Sequence, residues 1–316
     1  MLLKKRCESM GEEFLKKKGI IVNYLASDLL QKKKGDRVQS VTEYQNKYKV
    51  ARGTVQNAWS FLKEIDAIKV KSHGHMGTFI EEINYNILQE YALSDTILGT
   101  MTLPYSRLYE GLATGIYEAF KENKIKLNLA YIRGSKERVR SILNKTYRFA
   151  IVSKFAANQA IKNGEPIEIT LDFGQHTYLS EHVLLFRDKK KKSIEKGMKI
   201  AIDYSSIDQQ LLTKAVVNET QVEFVEMQGH QIVSSLQNGS IDAGIWNFDE
   251  IRDKNHQGLY AVPLEGSEME QEMSTSVIIT HTEETSMKAF FQKSVDKEKI
   301  LTIQKEVCEG RLIPQY

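Results

Sequence analysis

The stretch Val50-Ala51-Arg52-Gly53-Thr54-Val55-Gln56-Asn57-Ala58-Trp59-Ser60-Phe61-Leu62 decides how the beginning of the chain folds. Apolar residues recur in it at the three- and four-residue spacing of one helix face: Val55, Ala58, Trp59 and Leu62. The opposite face is polar and carries Arg52, Gly53, Gln56, Asn57 and Ser60. The spacing therefore predicts a helix from about Arg52 to Ile65 that packs through one face and presents an arginine and two amides on the other.

The residues on either side of this helix complete a recognisable arrangement. Upstream, Ser40-Val41-Thr42-Glu43 has the form of a capping box and predicts a short helix that ends near Tyr48. Downstream, the strand Ile68–Ser72, the turn His73–Gly77 and the returning strand Thr78–Ile80 predict a β-hairpin, or wing. Two short helices joined by a tight turn can place polar side chains in the major groove of DNA.

The same residues resemble the winged helix-turn-helix of GntR-type bacterial transcription regulators over residues 20–80. The resemblance rests on Gly35-Asp36-Arg37, on Ser40 and Glu43, on 50–55 and on the wing glycines. It implies a double-stranded DNA operator as partner, although Ala51 and Gln56 stand where the family usually has Ser and Arg, so no operator sequence is implied. Resemblance and helix position together predict these DNA-binding residues: Ser40, Thr42, Arg52, Gly53, Thr54, Gln56, Asn57, His73, Gly74 and His75.

Other interpretations of this segment stay open. The lysine runs 16–18 and 32–34 are, taken alone, more typical of solvated helix faces than of binding patches. A winged helix can also serve only for protein contact. His73 and His75 could be metal ligands, but two histidines on one turn without a third partner are mostly an accident. We therefore expect no metal site.

Charge divides the chain more clearly than its total of +3 suggests. Residues 1–80 hold 16 basic and 8 acidic side chains, which leaves 28 and 33 for the rest and gives net charges of +8 and −5. This favours approach to a polyanion by the N-terminal part.

The two cysteines, Cys7 and Cys308, predict neither disulfide nor zinc site. Since no apolar run is long enough to span a membrane and no signal peptide is recognisable, we expect a cytoplasmic protein without membrane contact.

After a connector at residues 81–94, short apolar runs alternate with helical patterns through residues 95–316. This alternation is typical of βαβ units. Two such halves follow each other, separated by the extended stretch 167–187, and strand-like segments at 259–263 and 274–280 return. This order resembles the type 2 periplasmic-binding-protein fold. We therefore predict an α/β protein with an N-terminal winged helix-turn-helix followed by a two-lobed domain, a combination that resembles the YhfZ family.

Ligands of open α/β sheets lie beyond the carboxyl ends of strands, where helices begin. That rule predicts a ligand site for a small anion, such as a carboxylate or phosphate, from Tyr105, Ser106, Arg133, Ser135, Ser153, Ser205, Ser206 and Trp246. Each residue has a structural alternative. The serines could be helix caps, Arg133 could belong to a surface ion pair, and Trp246 could be a core residue.

Linear motifs of catalysis are missing from the sequence, including Gly-x-Ser-x-Gly, the Walker loop and His-Glu-x-x-His. His176 and His182 would lie about 20 Å apart on an extended segment, too far to share a metal ion. We therefore expect a regulator without cofactor, acting as a homodimer on DNA and controlled by a small-molecule effector. Two alternatives remain: a metabolite-converting enzyme with a regulatory DNA-binding head, and a domain that serves only dimerisation.

Overall fold

The computed structural model describes residues 20–93, 96–256, 258–264 and 268–316. Three positions discussed above lie outside the described residues: Cys7, the last connector residue Ser94, and Asp95 at the start of the predicted two-lobed domain. The chain forms two compact units. Among the described residues, unit 1 comprises those from 20 to 97 together with 121–126 and 283–295, and unit 2 comprises those within 98–120, 127–282 and 296–316.

Unit 1 contains the predicted winged helix-turn-helix. Its helices are α1 (residues 20–29), α2 (Val41–Tyr48), α3 (Arg52–Glu64), α4 (Tyr85–Ala92) and α12 (Thr285–Lys293). Its strands β1 (Arg37–Val38), β2 (Ile68–Ser72) and β3 (Thr78–Ile83) form an antiparallel sheet in the order β1-β3-β2. The predicted stripe on α3 is buried, as Val55, Ala58, Trp59 and Leu62 are all core residues.

The two helices of the helix-turn-helix begin differently. At the start of α2, the Ser40 hydroxyl accepts from the Glu43 N–H at 3.2 Å, and the Ser40 N–H donates to Glu43 Oε2 at 2.5 Å. The predicted capping box is therefore confirmed. Helix α3 begins after Ala51, whose methyl side chain cannot accept a hydrogen bond. A capping side chain contributes about 1 kcal/mol, so α3 begins with weaker local support.

Unit 1 extends beyond the boundary predicted at residue 80. Residues 81–83 lengthen β3, and α4 follows within the predicted connector. Helix α12, more than 190 residues further along the chain, joins the same unit. Gln31 Nε2 donates to the Thr285 carbonyl at 2.7 Å, and Lys293 donates to the Leu30 carbonyl. Residues 283–295, predicted as part of the ligand-sensing domain, thus pack with the DNA-binding part.

The first lobe of unit 2 is built on a five-stranded sheet in the order β5-β4-β6-β13-β7. Its strands are β4 (Ile97–Met101), β5 (Leu127–Tyr131), β6 (Phe149–Ser153), β7 (Ile167–Gly174) and β13 (Ser276–His281). Its helices are α5 (Arg107–Glu122), α6 (Ser135–Leu143), α7 (Lys154–Lys162) and α13 (Lys297–Cys308). Strand β13 runs antiparallel to both neighbours, whereas β4 and β6 are parallel.

The second lobe repeats this pattern in the order β10-β9-β11-β8-β12. Its strands are β8 (His182–Phe186), β9 (Lys199–Ile202), β10 (Glu223–Glu226), β11 (Ala243–Asn247) and β12 (Tyr260–Pro263). Its helices are α8 (Ile207–Val217), α9 (Ile232–Asn238), α10 (Phe248–Asp253) and α11 (Glu268–Ser274).

In each lobe one antiparallel strand arrives from the other lobe: β8 lies between β11 and β12, and β13 between β6 and β7. The chain therefore starts one lobe, crosses, completes the second lobe and crosses back. This confirms the predicted two-lobed α/β architecture.

Candidate functional site

The predicted DNA-binding residues lie on the surface of unit 1. Nine of the ten are exposed and Thr54 is half-buried. A groove brings the start of α2, the polar face of α3 and the wing strands together, and Ser40, Gln56, Lys63 and Val70 line it. We call the exposed residues of α2, α3 and the wing turn the recognition face: Ser40, Thr42, Arg52, Gly53, Gln56, Asn57, His73, Gly74 and His75.

The wing turn has a defined geometry. Between β2 and β3, residues Gly74–Met76 form one 3-10 turn, and the His73 N–H donates to the Gly77 carbonyl at 2.8 Å. Gly77 has a φ of 103°, in the left-handed region that favours glycine. The His73 ring packs edge-on against Phe79 with 5.4 Å between centroids. The wing therefore holds its histidines in a fixed turn.

In unit 2, a cleft lies where the carboxyl ends of strands from both lobes meet. It encloses a cavity of about 80 Å³. A single water molecule needs about 10–15 Å³ of such space, so the cavity suits a small molecule. Six of the eight predicted ligand residues line it: Tyr105, Arg133, Ser135, Ser205, Ser206 and Trp246.

Ser106 and Ser153 are not among the residues that line the cavity in the described part of the chain. Ser106 is buried ahead of α5. Ser153 is also buried, and its hydroxyl caps α7 by accepting from the Ala156 N–H at 3.1 Å. The Ser153 side chain also interacts with the Asp208 carboxylate through a hydrogen bond, which lowers the pKa of that group.

The serines that do line the cavity also have structural partners. Ser135 Oγ accepts from the Ile207 N–H at 3.1 Å, and Ser206 caps α8. The Ser205 hydroxyl donates to Asp203 Oδ1 at 2.6 Å, while Asp203 Oδ2 accepts from the Gly229 N–H at 2.9 Å. Asp203 therefore holds two cleft loops together, and the helix-cap interpretation applies to Ser206 in particular.

The aromatic wall of the cleft combines burial with a polar contact. Trp246 is buried, its Nε1–H donates to Glu250 at 2.7 Å, and its ring packs against Tyr105 with 5.7 Å between centroids. Burial raises the pKa of Tyr105, against the opposing effect of Arg133. Trp246 is thus both a core residue and part of the cavity lining.

Two further charged residues line the cavity, and sequence analysis did not predict them. Arg138 on α6 donates to the Ile132 carbonyl at 2.7 Å and to the Tyr178 hydroxyl at 2.8 Å. Asp208, in the first turn of α8, is buried, and burial raises the pKa of this carboxyl to about 6. Its charged form is disfavoured because a low-dielectric surrounding replaces water.

Two histidines complete the titratable lining of the cavity. His182 begins β8 and is fully enclosed, and burial lowers its pKa to about 4. His230 lies in the loop after β10, and burial followed by the nearby Arg133 charge lowers its pKa as well. Neutral imidazoles are therefore favoured at both positions near neutral pH.

A signal for Arg138 and Asp208 was present in the sequence. Arg138 lies three residues after Ser135 on α6, and residues at that spacing share a helix face. Asp208 follows Ser206 within the first turn of α8, where an acidic residue also favours the helix dipole. Extending the strand-end rule by one helical turn would have found both.

Contacts across the cleft hold the two lobes together. Arg133 donates to the side-chain oxygen of Gln228. Lys136 Nζ donates to the Tyr204 carbonyl at 2.8 Å and to Gln210 Oε1 at 2.9 Å. With the Ser135 contact to Ile207, these bonds join the start of α6 and the loop before it to the start of α8, the loop before α8 and the loop after β10. The cleft is closed in this structure.

Residues 84–316 match the family of the YhfZ C-terminal domain, and residues 33–80 match a helix-turn-helix domain family. The chain belongs to the YhfZ family. The YhfZ protein of Escherichia coli (strain K12) is 30% identical over 307 residues, which cover 97% of this chain and 100% of that protein. The helix-turn-helix domain and this membership indicate a DNA-binding regulator.

Solved structures agree with the fold. The crystal structure of YhfZ from Shigella flexneri superposes with a TM-score of 0.60 at 31% identity, and the match covers 73% of this chain and 99% of that one. The substrate-binding protein of a methionine transporter from Streptococcus pneumoniae matches with a TM-score of 0.51 at 16% identity over 70% of this chain and 96% of that one. This YhfZ-family chain therefore shares the fold of periplasmic binding proteins.

Among the residues that the structure describes, no helix is long and apolar enough to cross a membrane. Within the same residues, no group of three or more His, Cys, Asp or Glu side chains is placed to hold a metal ion.

Proposed function

We propose that this protein is a transcription regulator whose winged helix-turn-helix binds an operator and whose cleft binds a small metabolite. The observation that carries the proposal is the combination, in one chain, of an exposed recognition face with a closed, polar cleft in a binding-protein fold. We further propose a GntR-like mode of DNA binding, a homodimer on a pseudo-palindromic site and a cytoplasmic location.

The recognition face has the chemistry of DNA readout. Arg52 begins α3 and is exposed, and Gln56 and Asn57 follow on the same helix. A guanidinium can donate to guanine or phosphate, and amides pair with adenine in the major groove. Lys69 and Lys71 on β2 add positive charge to the wing, although both also form ion pairs, with Glu82 at 2.7 Å and with Glu81 at 3.8 Å. We therefore propose that α3 enters the major groove and the wing contacts the flanking backbone.

We propose that the covalent connections between the two units transmit the effect of ligand binding to the DNA-binding part. The chain passes between the two units at residues 97–98, 120–121, 126–127, 282–283 and 295–296. Helix α12, in unit 1, is joined at one end to β13 of the first lobe and at the other to α13. A ligand that favours the closed cleft can change the DNA-binding state only if the two states differ in ligand affinity.

DNA binding is tested by selecting double-stranded DNA from a random library with the purified full-length protein. The selected site should be a pseudo-palindrome, and its affinity should fall steeply between 50 and 200 mM salt, by about 1,000-fold if six or more phosphates are neutralised. Arg52→Ala should weaken binding at least about tenfold. The control Arg140→Ala, an exposed arginine of α6, should leave it unchanged. The absence of any enriched sequence, or binding that does not depend on salt, would refute the proposal.

One observation favours an enzyme as second candidate. Asp208 and His182 both have strongly shifted pKa values and line one cleft, which is a common property of catalytic groups. We propose binding without turnover for this cleft, since structural burial shifts pKa values in the same way. The test is to incubate a bound metabolite with the full-length protein and follow it by mass spectrometry. Conversion that Asp208→Asn abolishes would establish the enzyme instead.

A further inference from the structure

Two opposite charges lie in the cleft with unused hydrogen-bonding capacity. Arg138 is 3% exposed, and its Nε–H finds no hydrogen-bond partner among the described residues. Asp208 is 6% exposed, and its Oδ1 likewise has no partner within the described part of the chain. Both residues line the same cavity. Buried charged groups with open positions are costly unless something else satisfies them.

The two groups do not satisfy each other. The Arg138 charge lowers the pKa of Asp208, but less than burial raises it. In the described residues the two side chains form no ion pair, and the two terminal nitrogens of Arg138 donate to neutral groups, the Ile132 carbonyl and the Tyr178 hydroxyl. The guanidinium and the carboxylate are therefore two separate buried charges, each on a residue that lines the cavity.

The other charged residues of the cleft are already engaged. Asp203 accepts from Ser205 through one oxygen and from the Gly229 N–H through the other. Arg133 donates to Gln228 across the cleft. These two residues link the loops of the two lobes, whereas Arg138 and Asp208 are the charged cavity residues that each have a buried atom without a partner in the described part of the chain.

We propose that the cleft binds a small amino carboxylate in its zwitterionic form, with the ligand carboxylate accepting from Arg138 Nε and the ligand ammonium donating to Asp208 Oδ1. This inference rests on the proposed function, because it names the class of metabolite that the cleft senses. It narrows the small anion expected from the sequence, since a ligand with negative charge alone would satisfy Arg138 but meet the carboxylate of Asp208. A purely cationic ligand would pair with Asp208 but would be repelled by Arg138.

Two neutral groups extend the site. His182 Nδ1 and Asn247 Nδ2 line the cavity and have no partner among the residues described. They can hydrogen-bond to a polar substituent of the ligand or to its carboxylate. The volume of about 80 Å³ restricts that substituent to a few atoms. Small polar amino carboxylates therefore fit better than large apolar ones.

The experiment measures the melting temperature of the full-length protein with three matched sets of compounds at pH 7.5. The first set contains the twenty protein amino acids, β-alanine and γ-aminobutyrate. The second contains their counterparts without the amino group, and the third contains small phosphate esters. At least one amino carboxylate should raise the melting temperature, and its deaminated counterpart should bind at least about 30-fold more weakly, as expected when one partner of a buried charge pair is removed.

Variants assign the two ends of the ligand. Asp208→Asn should lose affinity for the amino carboxylate and improve the relative binding of the deaminated counterpart, because the repelling charge is gone. Asp188→Asn, an exposed carboxylate of the second lobe, is the matched control and should bind as the wild type does. Arg138→Lys keeps the positive charge but lacks the Nε donor, and should weaken both compounds.

The outcomes separate this inference from the proposed function. If a deaminated carboxylate or a phosphate ester binds at least as well as every amino carboxylate, the proposal of a zwitterionic ligand is wrong. The proposal that the cleft binds a small metabolite would still hold. If no compound of the three sets binds, the zwitterion is also overturned, and DNA selection decides the remaining part of the proposed function. Asp208→Asn binding the amino carboxylate with unchanged affinity would equally overturn it.

Discussion

A β-carbon built on Gly134 would lie 2.6 Å from the carbonyl oxygen of Ser205. Gly134 precedes α6 in the first lobe, and Ser205 lies in the loop before α8 in the second, so the closed cleft depends on the absence of a side chain at position 134. Real β-carbons do not approach backbone atoms so closely. An added methyl group must therefore push the two loops apart.

We expect Gly134→Ala to open the cleft. The hydrogen bond from the Ile207 N–H to Ser135 Oγ spans the two lobes. Its loss should increase the hydrogen-exchange rate of the Ile207 amide at least about tenfold, since a hydrogen bond contributes roughly 1 kcal/mol and the clash adds to it. Hydrogen exchange with mass spectrometry measures this without any ligand.

The control for Gly134→Ala is Gly164→Ala. Gly134 and Gly164 both have positive φ angles, 73° and 80°, so alanine strains the backbone at both positions. A β-carbon at Gly164 would meet no described atom within 4 Å. Equal exchange at Ile207 in both variants would show that backbone strain, and not the approach to Ser205, explains the result.

Asp208 should destabilise the unliganded protein at neutral pH. Burial raises the pKa of Asp208 from 3.8 to about 6, so the folded protein holds this proton more tightly than the unfolded chain. Its stabilising effect is complete below pH 3.8 and is lost as pH rises through 6. Asp208→Asn should therefore raise the free energy of unfolding at pH 7.5 by about 2–3 kcal/mol, since one pKa unit corresponds to about 1.4 kcal/mol.

Thermal and denaturant unfolding between pH 4 and 7.5 test this expectation, with Asp188→Asn as control. The difference between Asp208→Asn and wild type should shrink towards pH 4, where the carboxyl is protonated in the folded protein and becomes protonated in the unfolded chain as well. A variant less stable than wild type at pH 7.5 would mean that the carboxylate is stabilised by groups in the cleft. Ser153 and Arg138 are the two side chains that lower the pKa of Asp208 against the effect of burial.

His182 should act in the opposite direction. Burial lowers the pKa of this imidazole from 6.5 to about 4, so the unfolded chain takes up a proton that the folded protein excludes. Stability is therefore lost as pH falls from 6.5 towards 4, by up to about 3 kcal/mol. Relative to His182→Gln, the wild type should lose stability steadily over this range of pH.

Unfolding curves of the two proteins at half-unit steps of pH provide the measurement. His75→Gln, which removes an exposed imidazole of the wing, is the control for the loss of a histidine. A constant difference between wild type and His182→Gln from pH 7 to 4 would contradict the buried neutral state of His182.

The elements that the sequence predicted well depend on short-range signals. The capping box of Ser40 and Glu43, the apolar stripe of α3 and the alternation of strands and helices lie within windows of about 15 residues. Strand ends supplied six cleft residues, because parallel strands end at one edge of a sheet. The prediction stopped at those ends, and it therefore missed Arg138 and Asp208 one helical turn further.

Contacts between distant residues could not be predicted in this way. Gln31 and Thr285 are 254 positions apart and form a hydrogen bond within unit 1. The hydrophobic pattern of α12 predicts that one face of the helix is buried. It does not predict the unit against which that face packs. The partner of an amphipathic helix is a tertiary property, and a single sequence carries no signal for it.

Ala51→Ser should stabilise unit 1. Ala51 has φ −66° and ψ 145°, the extended conformation of a helix N-cap, so a serine hydroxyl there can accept from the first turn of α3. The expected gain is about 1 kcal/mol, and Ser40→Ala at the start of α2 should lose about as much. Chemical denaturation compares the two variants, each in a Trp246→Phe background so that the fluorescence comes from Trp59 alone. Ala51→Val, which cannot cap, is the control, and an equal gain from it would refute the capping explanation.

Lys293 should fix α12 within unit 1. Its ammonium group donates to the Leu30 carbonyl at the end of α1 and lies 4.2 Å from the centre of the Tyr85 ring on α4. Burial lowers the pKa of Lys293, which shows partial loss of water around the charge. Lys293→Met keeps a long side chain but removes both contacts, worth about 1 kcal/mol together. Amide exchange in α12 should therefore accelerate about fivefold.

Lys162→Met is the matched control, because Lys162 is also the last residue of a helix and loses the same favourable interaction with the helix dipole. Equal acceleration in α7 and α12 would show that the helix dipole, rather than the contacts with α1 and α4, holds the end of α12.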